Sequence, residues 1–234
     1  MLRRPHTARE LLAGHPYQPW TAEVSGGESR WPATLAVIAA IVIQYVLPDK
    51  LLLGPRYLLP GLEAVLLLPL VIANPRRLDH DSRDMRWLSI ILIGVVNAAN
   101  AVSLVLLVRY LLHGGKTDGR TLIYAAIGVW LTNIIVFALW FWEIDRGGPI
   151  ARARPNSPLP GFLFPQMITT GVSPVSWAPT FLDYLYVAFT NATAFSPTDT
   201  MPLTRPSKML MLAESLTSLG TIVIVGARAV NILS

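Results

Sequence analysis

The uneven distribution of charge along the chain restricts its possible folds more than any other feature. Five apolar segments run from 31 to 47, 57 to 73, 88 to 112, 121 to 143 and 206 to 232. They hold six charges, Glu63, Arg109, Glu143, Lys208, Glu214 and Arg228, out of 33 in the whole chain. A helix needs about 20 apolar residues to cross the hydrocarbon of a bilayer, and the last three segments meet that length. The first two cover only roughly 25 Å at about 1.5 Å per residue, enough for a thin bilayer or one helped by flanking polar groups. The expectation is an all-α integral membrane protein with about five transmembrane helices. Pro60 and Pro69 are expected to bend the second helix. Trp31, Trp87 and the Trp140-Phe141-Trp142 run fall at segment ends, where amphipathic rings favour the headgroup layer. About 30 polar residues precede the first apolar run, so a signal peptide is not expected.

Five spans place the arm, 74–87 and 144–205 on one side of the membrane. That side carries Arg3, Arg4, Arg9, Arg30, Arg76, Arg77, Arg83, Arg86, Arg146, Arg152, Arg154 and Arg205. Lys50, Arg56, Lys116 and Arg120 fall on the other side. The positive-inside rule then puts the N-terminus in the cytoplasm of a multi-pass protein of the cell (plasma or inner) membrane. The charge is too sparse, and the apolar residues too clustered, for nucleic acid to be a partner despite the net charge of +5. With no cysteine, thiol catalysis, disulfides and Cys metal sites are excluded.

The organisation read from these runs is a polar arm at 1–30, a three-helix membrane segment at 31–112 and a C-terminal module at 121–234. Within that module, an outer helix at 121–143 leads into a connector at 144–180 rich in proline and glycine. Phe181–Thr193 is aromatic and apolar without Pro or Gly, which predicts a helix of about 13 residues and roughly 20 Å, too short to span. A re-entrant helix over 181–194 is therefore expected, with a polar loop at 195–205 and an inner helix at 206–232. Non-helical backbone at membrane depth is tolerated only where it is buried in protein or lines water.

An outer helix, a short helix, a polar loop ending in Asp and an inner helix together resemble the pore module of tetrameric potassium-channel-like proteins. Tyr186-Val187-Ala188-Phe189-Thr190-Asn191-Ala192-Thr193 sits where such channels carry an aromatic pore helix ending in threonines. Thr198-Asp199 and Met201-Pro202-Leu203-Thr204 resemble the close of the filter and the Pro-Val-Thr beyond it. Trp142-Glu143-Ile144-Asp145-Arg146-Gly147-Gly148, with the same pore-like segment, is also similar to an uncharacterised family of bacterial multi-span membrane proteins. The resemblance covers about 100 C-terminal residues. It implies a homotetramer, and pore or filter-like roles for Thr190, Thr193, Ala194, Phe195, Ser196, Pro197, Thr198 and Asp199.

The departures from the potassium pattern also carry information. The glycines of a TVGYG filter permit successive carbonyls to turn inward around a dehydrated ion. Ala194-Phe195-Ser196-Pro197-Thr198 has neither glycine, and Pro197 fixes its own φ near −65°. The usual potassium selectivity is not expected. The expected function is passage or gating of an ion or small solute; the alternative is a non-conducting membrane scaffold or accessory subunit that keeps the pore architecture.

Intramembrane charges are functional candidates by default, which singles out Glu63, Glu214 and Arg228. Arg228 follows Glu214 by 14 residues, within about 40° of the same helical face. Asn97, Asn100 and Ser103 form a polar stripe on the third span, and Thr132-Asn133 mark the fourth; interhelical hydrogen bonds account for both. Gly220 and Gly226 read as close-packing positions. Asp79-His80-Asp81 with Asp84 lacks fixed ligand geometry and reads as a solvated connection rather than a metal site. No G-x-S-x-G, H-E-x-x-H or P-loop occurs, so neither an enzyme nor a cofactor is expected.

Overall fold

The computed structural model describes residues 28–52, 54–73, 83–112, 119–152, 159–169, 177–193 and 199–233. Among these it is mostly helical, with seven α-helices and one two-stranded antiparallel pair. α1 runs Trp31–Val46, α2 Leu58–Ala73, α3 Arg83–Leu112 and α4 Gly119–Ile144. The single turn α5, Pro149–Arg152, then precedes β1 (Phe162–Leu163), α6 (Phe181–Thr193), β2 (Met201–Pro202) and α7 (Arg205–Leu233).

Two of these helices, α3 and α4, are long and apolar enough to cross a membrane. α1 and α2, with 16 residues each, reach only about 24 Å. Pro69 lies inside α2 as expected, whereas Pro60 falls in the first turn, where a missing N–H costs no helical bond. The break after α1 comes at Pro48, which cannot continue the i→i−4 ladder.

α4 is the central element. It packs against α1, α3, α6 and α7, and its buried residues include Val129, Val136, Phe137, Ala138, Leu139 and Phe141. Small side chains make this close approach possible, with Ala125, Ala126 and Ala138 at or near zero exposure. α6 lies against both α4 and α7, burying Phe181, Tyr184, Val187, Ala188 and Ala192. Tyr184 meets the rings of Phe162 and Phe164 edge-on, at 6.0 and 5.4 Å.

The connector places α6. β1 pairs with β2 in the register Phe162↔Pro202 and Leu163↔Met201, and Leu203 N donates to Gly161 O. Chain that leaves the α5 end of the bundle at Phe181 is therefore back at that end by Met201. α6 and α7 start together and run side by side in the same direction, so Asn191 meets Met211 and Glu214. Large apolar side chains remain exposed along the outer faces, among them Leu35, Val65, Val105, Tyr124, Phe189, Leu212, Leu216 and Leu219.

Candidate functional site

Two buried polar groups hold α6, one at each end. The first is built on Trp142–Gly148. Past Ile144 the chain makes a 3-10 turn at Asp145–Gly147 and reverses through three successive positive-φ residues, Arg146 (53°), Gly147 (84°) and Gly148 (99°). Only glycine adopts that conformation freely, which accounts for the Gly-Gly pair and marks Arg146 as strained.

The reversal leaves Asp145 pointing inward at 1% exposure. Its Oδ1 accepts the Gly161 N–H at 2.6 Å and its Oδ2 accepts the Tyr184 hydroxyl. One carboxylate thus ties the end of α4 to the connector and to α6. Gly161 admits no side chain, since a Cβ there would lie 2.8 Å from Ser207 Oγ and 3.1 Å from Asp145 Oδ1.

Arg152 and Glu28 complete this end. Arg152 donates to the carbonyls of Trp142 and Asp145, satisfying C-terminal acceptors of α4, and its guanidinium lies 5.0 Å from the Tyr184 ring centroid. It also pairs with Glu28 at 3.3 Å. Glu28 accepts from Trp142 Nε1 at 3.0 Å and from Phe181 N, the first amide of α6, at 2.7 Å. A carboxylate at the start of one helix and a guanidinium at the end of another each oppose the local dipole. Burial pushes the Glu28 carboxyl up from its ordinary range, while Arg152 and the hydrogen bonds pull it down. Burial likewise pulls the Arg30 guanidinium down, against Glu143, which holds it up. Asp183 accepts from the backbone N and the hydroxyl of Thr180, closing the first turn of α6.

The second group lies at the other end of α6. Asn191 Nδ2 donates to Met211 O at 2.9 Å and to Glu214 Oε2 at 2.7 Å, while its Oδ1 accepts from Ser215 Oγ at 3.1 Å. Glu214 is fully buried, and its Oε1 has no hydrogen-bond partner among the described residues. Asn133 of α4 donates to Ser218 Oγ of α7 one turn further on, at 2.9 Å. The polar positions of α4 and α7 thus meet across the helix interface, as interhelical bonding requires.

The structure brings Glu214 beside α6 but distributes the other candidates. Glu63 is fully buried on α2, and its polar neighbour Gln44 on α1 falls short of hydrogen-bond geometry on either carboxylate oxygen. Arg228 lies in the closing turns of α7, where its side chain is outside the described residues. Thr190 and Thr193 return their hydroxyls to carbonyls of their own helix. Asp199 is exposed, and the filter-like residues Ala194, Phe195, Ser196, Pro197 and Thr198 lie outside the described residues. Among the described residues, an added Cβ at Gly220 or Gly226 meets nothing within 4 Å, so neither packs against a described neighbour. Asp79, His80 and Asp81 are also outside the described residues, and among those described no group of His, Asp and Glu could hold a metal ion.

Glu28, Arg152, Tyr184 and Asn191 are the contributors not singled out from sequence. Tyr184 and Asn191 sit inside an apolar run, and Glu28 precedes the first helix, so none has a local pattern of its own. Asp145 had one, as an acidic residue after a long apolar run and before Gly-Gly. No family model, curated protein or solved structure matches the chain.

Proposed function

We propose that the chain is a channel-like membrane protein that passes or gates an ion or small solute without the usual potassium selectivity. The observation that carries this reading is the course of the chain around α6. A 13-residue helix starts at the α5 end of the bundle, packs between α4 and α7, and the chain is back at that end by β2. That path is the one expected of a helix that enters a bilayer and returns. Support also comes from the clustering of charge outside the apolar segments and from the exposed apolar side chains on the outer faces. On this reading α1, α2, α3, α4 and α7 span, α6 is re-entrant, and four copies assemble through α4 and α7.

The test is reconstitution into liposomes with potassium and sodium flux measured under identical gradients, alongside the mass of the detergent-solubilised oligomer. Flux of both ions at comparable rates from a tetramer is expected. Strong potassium preference contradicts the filter argument. A tetramer without flux of any small solute instead supports the non-conducting scaffold.

A further inference from the structure

At the end of the bundle that carries Asp145, the side chains of α1, α2, α3 and α4 leave a partly open cavity of about 30 Å³. A water needs about 10 to 15 Å³ by such a measure, so the space accepts a group of a few heavy atoms. Arg30, Thr34 and Ser89 supply its polar lining, and Leu67, Leu70 and Leu92 its apolar wall.

Arg30 is 8% exposed and lines this cavity. Its acidic neighbour is Glu143, which also faces Arg86 at 3.7 Å and lies within the field of Arg152. Arg152 is paired with Glu28. Among the described residues, three guanidiniums, Arg30, Arg86 and Arg152, therefore share two carboxylates, Glu28 and Glu143. That excess of positive charge is costly, and an anion in the cavity would offset the cost. The first turn of α1 borders the same space through Ala33 and has no side-chain cap.

We propose that this cavity binds the phosphate of an anionic phospholipid, with Arg30 as its counterion and an acyl chain leaving along the apolar side. The inference rests on the membrane reading above. Trp31 and Trp87, 52% and 58% exposed, adjoin the lining in sequence on α1 and α3, where rings at headgroup level are favoured. Basic pockets between membrane helices suit anionic headgroups, and the apolar wall distinguishes a lipid from a free phosphate.

Native mass spectrometry of the delipidated full chain, titrated with phosphatidylglycerol or phosphatidylcholine of matched acyl chains, tests this. Preferential binding of phosphatidylglycerol is expected, weakened about fivefold by Arg30→Gln and largely kept by Arg30→Lys. Ser89→Leu fills the cavity without changing charge and should weaken binding as well, whereas Arg120→Gln, exposed at the other end of α4, should not. Equal binding of the two lipids, or insensitivity to both Arg30→Gln and Ser89→Leu, overturns the proposal. Full displacement of phosphatidylglycerol by millimolar inorganic phosphate would overturn it in favour of a soluble anion. If Arg30→Gln fails to fold, Arg30→Lys and Ser89→Leu still decide. Binding is read without flux, so a silent channel leaves this result interpretable.

Discussion

The hydroxyl of Tyr184, at zero exposure in the first turn of the short helix, donates to the buried Asp145 carboxylate just beyond the end of α4. This bond fixes the depth at which α6 sits, because Asp145 is itself held by Gly161 N. Tyr184→Phe keeps the ring contacts and leaves one buried carboxylate oxygen unsatisfied. A destabilisation of about 1 to 3 kcal/mol is expected in detergent, read as a lowered thermal midpoint. An unchanged midpoint would show that the aromatic packing alone seats the helix.

The long helices could be read from the sequence because apolar runs and prolines act locally. α4, Gly119–Ile144, covers the whole segment at 121–143, and α6, Phe181–Thr193, covers every described residue of the expected 181–194. The short helix was recognisable from length alone. Its seat was not, since Asp145, Gly161 and Tyr184 converge only through the β1–β2 pair, and two paired residues per strand leave no period to read. Glu214 could be identified as a charge in an apolar run, but its partner Asn191 depends on the parallel course of α6 and α7. The role of Gly220 and Gly226 is not set by a neighbour within the chain, because an added Cβ at either meets no described residue within 4 Å.

Glu28 gives a pH signature. Its carboxyl is raised in the folded state relative to the unfolded chain, so the folded state holds its proton more tightly. The stability linked to Glu28 is then fully present below the ordinary glutamate range and is lost as pH rises through the raised folded value. Glu28→Gln keeps acceptors for Phe181 N and Trp142 Nε1 and removes the titration. Its thermal midpoint should fall less than that of the wild type as pH rises from about 4.3 toward neutrality. Parallel profiles for the two proteins would contradict this.

Glu214 and Asn191 should behave as a coupled pair. Glu214→Gln keeps an acceptor for the Asn191 amide, whereas Glu214→Leu removes it and leaves a buried donor short of a partner. The leucine variant should lose about 1 to 3 kcal/mol and the glutamine variant markedly less. A double-mutant cycle with Asn191→Ala should give an interaction energy of at least about 0.5 kcal/mol. Strict additivity would mean that the two residues act independently.

The re-entrant course of α6 is tested most directly by introducing single cysteines into this naturally Cys-free chain. Val175→Cys precedes the helix, Leu203→Cys follows the loop, and Lys50→Cys reports the other side. Membrane-impermeant maleimide applied to oriented vesicles should label positions 175 and 203 from the same side and position 50 from the opposite one. Labelling of 175 and 203 from opposite sides would mean that α6 crosses, and would contradict the channel-like account.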